Sequence, residues 1–359
     1  MSLAKVHVRH VRNIDAASLE PSPQLNFLIG ANGSGKTSLI ESIYILGRGR
    51  SFRSNQARQV INYSHECLTV SGKAHLEGRP SPIGIGVQLS RQKRELVLEG
   101  KKLQSSAELI WAFPVSLIHP GCSSLLEGAP KHRRQLLDWG VFHMERNYLD
   151  AWRGYMRALT QRNALLRSGD VRDLETWNHE LGRYGAMVAD ARDRYAELLR
   201  PYFLDAARHF LGLEQVTLQA TAGWDRGRPL DEVLATELAA DRKYGMTQSG
   251  PHRGDFAILV DGKAAKTFLS RGEIKMVVFA LLLAQSHLLE EAVGKRGCVL
   301  IDDLASELDP GNRSKLLMFL KRRKGQFFIT ATDEWVREYA GRDDAAVFHV
   351  EHGCLTTAG

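Results

Sequence analysis

The sequence predicts an α/β protein. It has a mixed, largely parallel sheet assembled from both ends of the chain, a β-rich subdomain beside it, and an α-helical lobe inserted between the ends. Three observations carry this. Strand-length apolar runs alternate with helical patterns near both ends, as in a parallel sheet covered by helices. Short alternating runs broken by glycines fill Leu68 to Leu103. From Gly128 to about Tyr244 the apolar residues fall instead at helical spacing. The expected partition is 1–125 for the first part of the α/β domain, 126–244 for the helical lobe and 245–359 for the rest.

Ala4 to Val11 alternates apolar and polar residues and reads as a half-buried strand. Leu25-Asn26-Phe27-Leu28-Ile29 is mostly apolar, as a strand buried on both faces requires. It runs into a glycine-rich turn, after which Leu39, Ile40, Ile43 and Leu46 fit a helix. In the middle segment Leu136, Leu137, Leu149, Trp152, Tyr155, Leu159, Leu198, Leu199 and Phe203 keep that period. Strand character returns at Phe256 to Val260, followed by a turn at Asp261-Gly262 and a long apolar helix from Ser270 through Leu289. Cys298 to Ile301 and Phe327 to Ile329 are two more buried-strand runs, ending in Asp302-Asp303 and in Thr330-Ala331-Thr332-Asp333.

The formal charge of +7 and a pI near 9.2 point to a polyanionic partner. Between Leu126 and Tyr244, 18 Lys or Arg balance 18 Asp or Glu, so the excess lies on the flanking segments. Arg48, Arg50, Arg53 and the run Lys321-Arg322-Arg323-Lys324 are the candidate phosphate contacts there. Cys67, Cys122, Cys298 and Cys354 have neither zinc-ligand nor redox spacing and read as free thiols in a reducing compartment. No apolar stretch is expected to reach the length that crosses a bilayer, and the first residues lack the apolar core of a secretory signal. A cytoplasmic protein with no membrane partner is the expectation.

Gly30-Ala31-Asn32-Gly33-Ser34-Gly35-Lys36-Thr37 matches G-x-x-x-x-G-K-[ST] between a strand and a helix. Glycines let successive backbone N–H groups face phosphates, and the helix N-terminus adds its positive dipole end. Lys36 is the candidate for the β- and γ-phosphates, and the Thr37 hydroxyl for Mg²⁺. The apolar run ending at Ile301 delivers Asp302 to the sheet edge as a second Mg²⁺ ligand. Asp303 then stands where it can orient or deprotonate water. Ser270-Arg271-Gly272-Glu273 opens the long helix, with Ser270 able to cap it.

The order of these motifs resembles that of the ABC-type P-loop ATPase heads, which include SMC and RecF proteins. Ser270 to Glu273 stand where that class has its Ser-Gly-Gly-Gln signature, and Ser306-Glu307-Leu308-Asp309 is similar to its D-loop. Further strings resemble the RecF family. They are Arg12-Asn13, Gly49-Arg50-Ser51-Phe52-Arg53, Lys131-His132-Arg133-Arg134, Leu137-Asp138-Trp139-Gly140, Gly250-Pro251-His252-Arg253 and Ile301 to Asp309. The resemblance implies ATP and Mg²⁺ as cofactors, with Arg12, Asn13, Ser270 to Glu273 and Asp309 at the nucleotide. It implies an ATP-dependent homodimer in which the signature of one copy covers the nucleotide held by the other. Single-stranded and gapped duplex DNA, RecO and RecR are the implied partners, loading of a recombinase the implied task, and slow ATP hydrolysis the implied reset.

Two departures stand out. Gly121-Cys122 follow Pro120 where many relatives carry an acid, and Thr332-Asp333 replace the histidine of ABC transporters. The alternatives are a nucleotide-gated interaction protein with negligible hydrolysis, a transport ATPase subunit and a small-molecule kinase. The twin aspartates and the basic flanks argue against the transporter. The signature and D-loop strings have no task in a kinase.

Overall fold

The computed structural model describes residues 2–76, 78–169, 172–303, 308–332, 336 and 345–357. The chain forms two compact units, Met1–Cys122 with Ser286–Gly359, and Ser123–Gln285.

The first unit holds two six-stranded sheets. In one, β1 (Ser2–Val11) lies between β2 (Ile14–Leu19) and β4 (Cys67–His75), and β5 (Ile83–Ser90), β6 (Arg94–Leu98) and β7 (Lys101–Lys102) follow, all antiparallel. This is the β-rich subdomain. The other contains β3 (Leu25–Ile29), β8 (Val115–Ile118), β12 (Cys298–Ile301), β13 (Gln326–Ala331), β14 (Ala345–Glu351) and β15 (Cys354–Thr357), in the order β15-β14-β3-β13-β12-β8. All its pairings are parallel except the terminal β14–β15 hairpin. The N-terminal strand β3 thus sits between two C-terminal strands, as the sequence predicts. Every residue of β3 and β12 is buried.

Helix α1 (Lys36–Arg48) packs on strands of both sheets. Leu39, Ile40, Ile43, Ile45 and Leu46 are all buried, so the helix is apolar on more than one face. They share one core with Val6, Val70, Leu300 and Phe328. A Cβ at Gly47 would lie 2.2 Å from the Val115 side chain, which makes this glycine a packing requirement. Helix α2 (Ser106–Ala112) is capped by Ser105 Oγ.

The second unit carries α3 (Ser124–Glu127), α4 (Pro130–Met144), α5 (Tyr148–Ser168), α6 (Leu174–Leu211), α7 (Leu230–Thr236) and α8 (Leu238–Tyr244). It also holds a small antiparallel sheet of β9 (Val216–Thr221), β10 (Asp255–Val260) and β11 (Lys263–Ala264). Helix α9 (Ala265–Phe268) leads to α10 (Arg271–Val293), whose last residues belong to the first unit. Beyond β12, α11 (Pro310–Lys321) precedes β13.

The units part at 122/123 and 285/286, not at 125/126 and 244/245. Six residues of β10 pair with β9, which ties the segment after Tyr244 to the helical unit. The expectation about apolar stretches needs correction, because α10 is long and apolar enough to cross a membrane. Ile274, Met276, Val277, Val278, Phe279 and Leu281 are buried, however, as in the core helix of a folded domain.

Candidate functional site

The glycine-rich turn connects β3 to α1 at the carboxyl end of the parallel strands, where open α/β sheets place their ligands. Gly30 has φ +150° and Gly35, the residue before α1, has φ +120°, conformations that only glycine adopts without strain. A Cβ at Gly30 would lie 2.2 Å from the Val350 carbonyl oxygen. The β14–β15 turn braces the loop from the same side, with Gly353 N donating to Ser34 O at 2.8 Å. That turn has φ +47° at His352 and +79° at Gly353, as in a two-residue type I′ hairpin. No sequence expectation covers this hairpin, because His-Gly is not one of the Asn-Gly or Asp-Gly pairs that mark such a turn.

Lys36 Nζ donates to Gly30 O at 2.6 Å and Ala31 O at 2.9 Å, so the ammonium lies over the loop's own carbonyls. Ser34 Oγ is buried and makes no hydrogen bond among the described residues. Thr37 Oγ1 donates to Asp302 Oδ1 at 3.1 Å, and Thr330 Oγ1 donates to the same oxygen at 2.9 Å. Asp302 N donates to Ile118 O (2.8 Å), and Asp303 N to Thr330 Oγ1 (2.6 Å). Three parallel strands thereby deliver their ends to one point. Burial raises the Asp302 carboxyl above the ordinary aspartate range, against the hydrogen bonds from Thr330 and Thr37. Asp303 follows with φ +55°, exposed at the surface.

A hydroxyl and a carboxylate meeting beside a lysine are hard oxygen donors, the kind Mg²⁺ takes alongside a nucleotide's phosphates. The loop, Lys36, Thr37 and Asp302 therefore fit a magnesium triphosphate.

The other predicted residues take different positions. Asn13 lies on the loop: its Nδ2 donates to Gly33 O (3.4 Å) and Ser34 O (3.3 Å), and its Oδ1 accepts from Ser38 Oγ (2.8 Å). Arg12 is turned elsewhere, with Nε and Nη2 each 2.9 Å from a carboxylate oxygen of fully buried Glu41 on α1. Ser51 Oγ also donates to Glu41, and Arg53 Nη1 lies 3.7 Å from it. Arg48 is not an outward phosphate contact either. It donates to Val115 O at 2.9 Å, and burial pulls its guanidinium down to about 10.

Ser270 and Glu273 form a capping box. Ser270 N and Oγ donate to Glu273 Oε2 at 2.9 and 2.7 Å, which holds that carboxyl below its usual range. Arg271 and Gly272 are exposed beside them. Asp309 caps α11 by accepting from Asn312 N at 3.0 Å, and that bond lowers its pKa. Leu304 to Glu307 and Asp333 lie outside the described residues.

The strings Lys131 to Arg134, Leu137 to Gly140 and Gly250 to Arg253 converge within the second unit. Arg133 pairs with Asp255 at 2.7 Å and Arg134 Nη1 donates to Gly254 O at 2.9 Å. Arg192 holds both Asp138 (2.8 Å) and the Pro251 carbonyl (2.7 Å). A Cβ at Gly140 would overlap the Tyr195 ring. These arginines brace the unit.

A glycine-rich phosphate loop, acids at the end of the parallel strand next but one to it, and a helical unit inserted in the chain between them define an ABC- and SMC-type ATPase head. The family profile of the RecF/RecN/SMC N terminal domain matches residues 2–356. The chain is 43% identical over 363 residues to the DNA replication and repair protein RecF of Stutzerimonas stutzeri, covering 99% of this chain and 97% of that one. It is 43% identical over 364 residues to RecF of Pseudomonas fluorescens, covering 99% and 98%. A solved structure of the recombination mediator protein RecF-ATP in the RecFOR pathway superimposes with a TM-score of 0.85 at 25% identity, over 100% of this chain and 98% of that one. An Smc head bound to a ScpA winged-helix domain matches at 0.60 and 12% identity, over 100% and 98%, a likeness of fold. The chain belongs to the RecF family of DNA replication and repair proteins.

Proposed function

We propose that this protein is an ATP-dependent DNA-binding clamp of recombinational repair. It binds ATP with Mg²⁺, closes as a homodimer on the nucleotide, holds DNA at junctions of single strand and duplex, and helps RecO and RecR load the recombinase. Slow hydrolysis, stimulated by DNA, resets it. The observation that carries this reading is the meeting of Thr37, Asp302 and Thr330 beside Lys36 at the mouth of the glycine-rich loop. The similarity to a protein solved as RecF-ATP in the RecFOR pathway supports the cofactor and the partners.

Each residue has a task in that cycle. The loop amides and Lys36 would hold the β- and γ-phosphates, and Thr37 and Asp302 would hold a metal ion that offsets their negative charge. Asp303 orients the attacking water. Ser270, Arg271 and Gly272 of a second copy close over the γ-phosphate, with Glu273 keeping Ser270 in place. Contacts made only to the triphosphate favour the closed dimer, and hydrolysis removes them.

Sedimentation of wild type, Lys36→Met and Asp303→Asn, with and without ATP and gapped DNA, tests the proposal. Wild type should dimerise only with ATP. Lys36→Met should stay monomeric, and Asp303→Asn should accumulate as dimer while its turnover falls at least about tenfold. Turnover unchanged in Asp303→Asn would remove that residue from the chemistry. Dimerisation indifferent to nucleotide would end the clamp reading.

A further inference from the structure

We propose that the groove between the segment after α1 and the β5–β6 turn holds the phosphate backbone of duplex DNA. This rests on the DNA-binding reading above and gives it a location. One wall is formed by residues of 49–60, the other by residues of 89–94. Among the described residues five cations line it, Arg50, Arg58, Arg91, Lys93 and Arg94, and no Asp or Glu does. Lys93 is paired with Glu95 at 2.5 Å, and Arg58 Nε donates to Gln56. Arg50, Arg91 and Arg94 are exposed and make no ion pair among the described residues. Three like charges gathered without carboxylate partners repel one another, and a polyanion laid between them removes that cost.

The other lining residues narrow the ligand. Ser54, Asn55 and Gln56 offer the uncharged donors that phosphate and sugar contacts use. Among the described residues no aromatic ring lines the groove to give the stacking platform that single strands need. A duplex backbone, read without base contacts, is what this chemistry fits.

The basic run Lys321 to Lys324 has a local reason that the groove lacks. Its Lys321 lies in the last turn of α11, where a cation complements the helix dipole, and Gln24 Nε2 donates to the Lys321 and Arg323 carbonyls at 3.0 and 2.9 Å. The groove wall also reaches the nucleotide loop. Ser51 and Arg53 contact Glu41, Glu41 holds Arg12, and neighbouring Asn13 bonds the loop.

Fluorescence anisotropy of a short labelled duplex, titrated with the full chain and a slowly hydrolysed ATP analogue over a salt series, tests the assignment. The triple variant Arg50→Glu, Arg91→Glu, Arg94→Glu should bind at least about tenfold more weakly. Its log K against log salt should flatten by about 0.9 for each phosphate it no longer neutralises. Analogue binding should persist, showing that the unit is folded. A second triple, Lys321→Glu, Arg322→Glu, Lys324→Glu, should bind as wild type does. Wild-type affinity and slope in the groove variant, or a loss confined to the second triple or to single-stranded probes, would overturn the groove. Wild type that ignores every duplex would instead overturn the DNA-binding reading itself.

Discussion

Glu41 shows how far a residue's place in the fold departs from its look in a sequence. A glutamate on a helix reads as a solvated charge, yet this one is fully buried, with Arg12, Ser51 and Arg53 around it. Arg12 was legible as part of a family string, but not its partner 29 residues away. Arg12→Ala strips both guanidinium bonds from a buried carboxylate. It should cost about 3 kcal/mol of unfolding free energy without any nucleotide present, as breaking one side of a buried ion pair does. Urea unfolding of the apo protein measures this, and Arg12→Lys should recover only part, because an ammonium does not match the bidentate geometry. An unchanged urea midpoint would mean that Arg12 serves the nucleotide alone. The phosphate loop was legible for the opposite reason: its residues are contiguous, and their types follow from backbone geometry alone, as at Gly30 against Val350.

Among elements, the buried strands β3, β12 and β13 were readable because burial on both faces demands apolar runs, and the helix α1 because its apolar residues keep helical spacing. The strand β9 was not, since six residues with alternating burial after a 38-residue helix give too little pattern. Its partner β10 brings Gly250 to Arg253 into the helical unit, and His252 is fixed there. His252 Nδ1 accepts from Tyr155 Oη at 2.6 Å, and Nε2 donates to Thr247 O at 3.0 Å. Burial pushes its pKa down to about 4. The unfolded chain takes up this proton near pH 6.5, the folded chain only near 4, so unfolding is favoured as pH falls through that window. The total amounts to about 3 kcal/mol, and the residue adds no pH dependence above 6.5. Urea midpoints between pH 7 and 4.5 should fall more steeply for wild type than for His252→Gln. Equal slopes would show that the imidazole is protonated as readily in the fold as outside it.

At the scale of the whole molecule, the phosphate loop and the α10 cap were legible in the sequence, and the proposed dimer needs the cap of a second copy to complete the site. Gly272 offers the test. It lies in the first turn of α10, exposed, and a Cβ there would meet nothing within 4 Å among the described residues. The fold of a single copy therefore gives no reason for glycine at this position. Helix propensity even disfavours it, by up to about 1 kcal/mol relative to alanine. A requirement for close approach by another molecule would supply the reason, and the proposed dimer brings a second nucleotide loop to this turn. Gly272→Ala should raise the melting temperature slightly. Gly272→Trp should fold and bind an ATP analogue as wild type does, yet its ATP-driven dimerisation should weaken at least about tenfold, because the indole occupies the space the partner must enter. Mass photometry with and without ATP reads this directly. A tryptophan variant that dimerises as readily as wild type would move the second copy away from α10 and leave Ser270 as an ordinary helix cap.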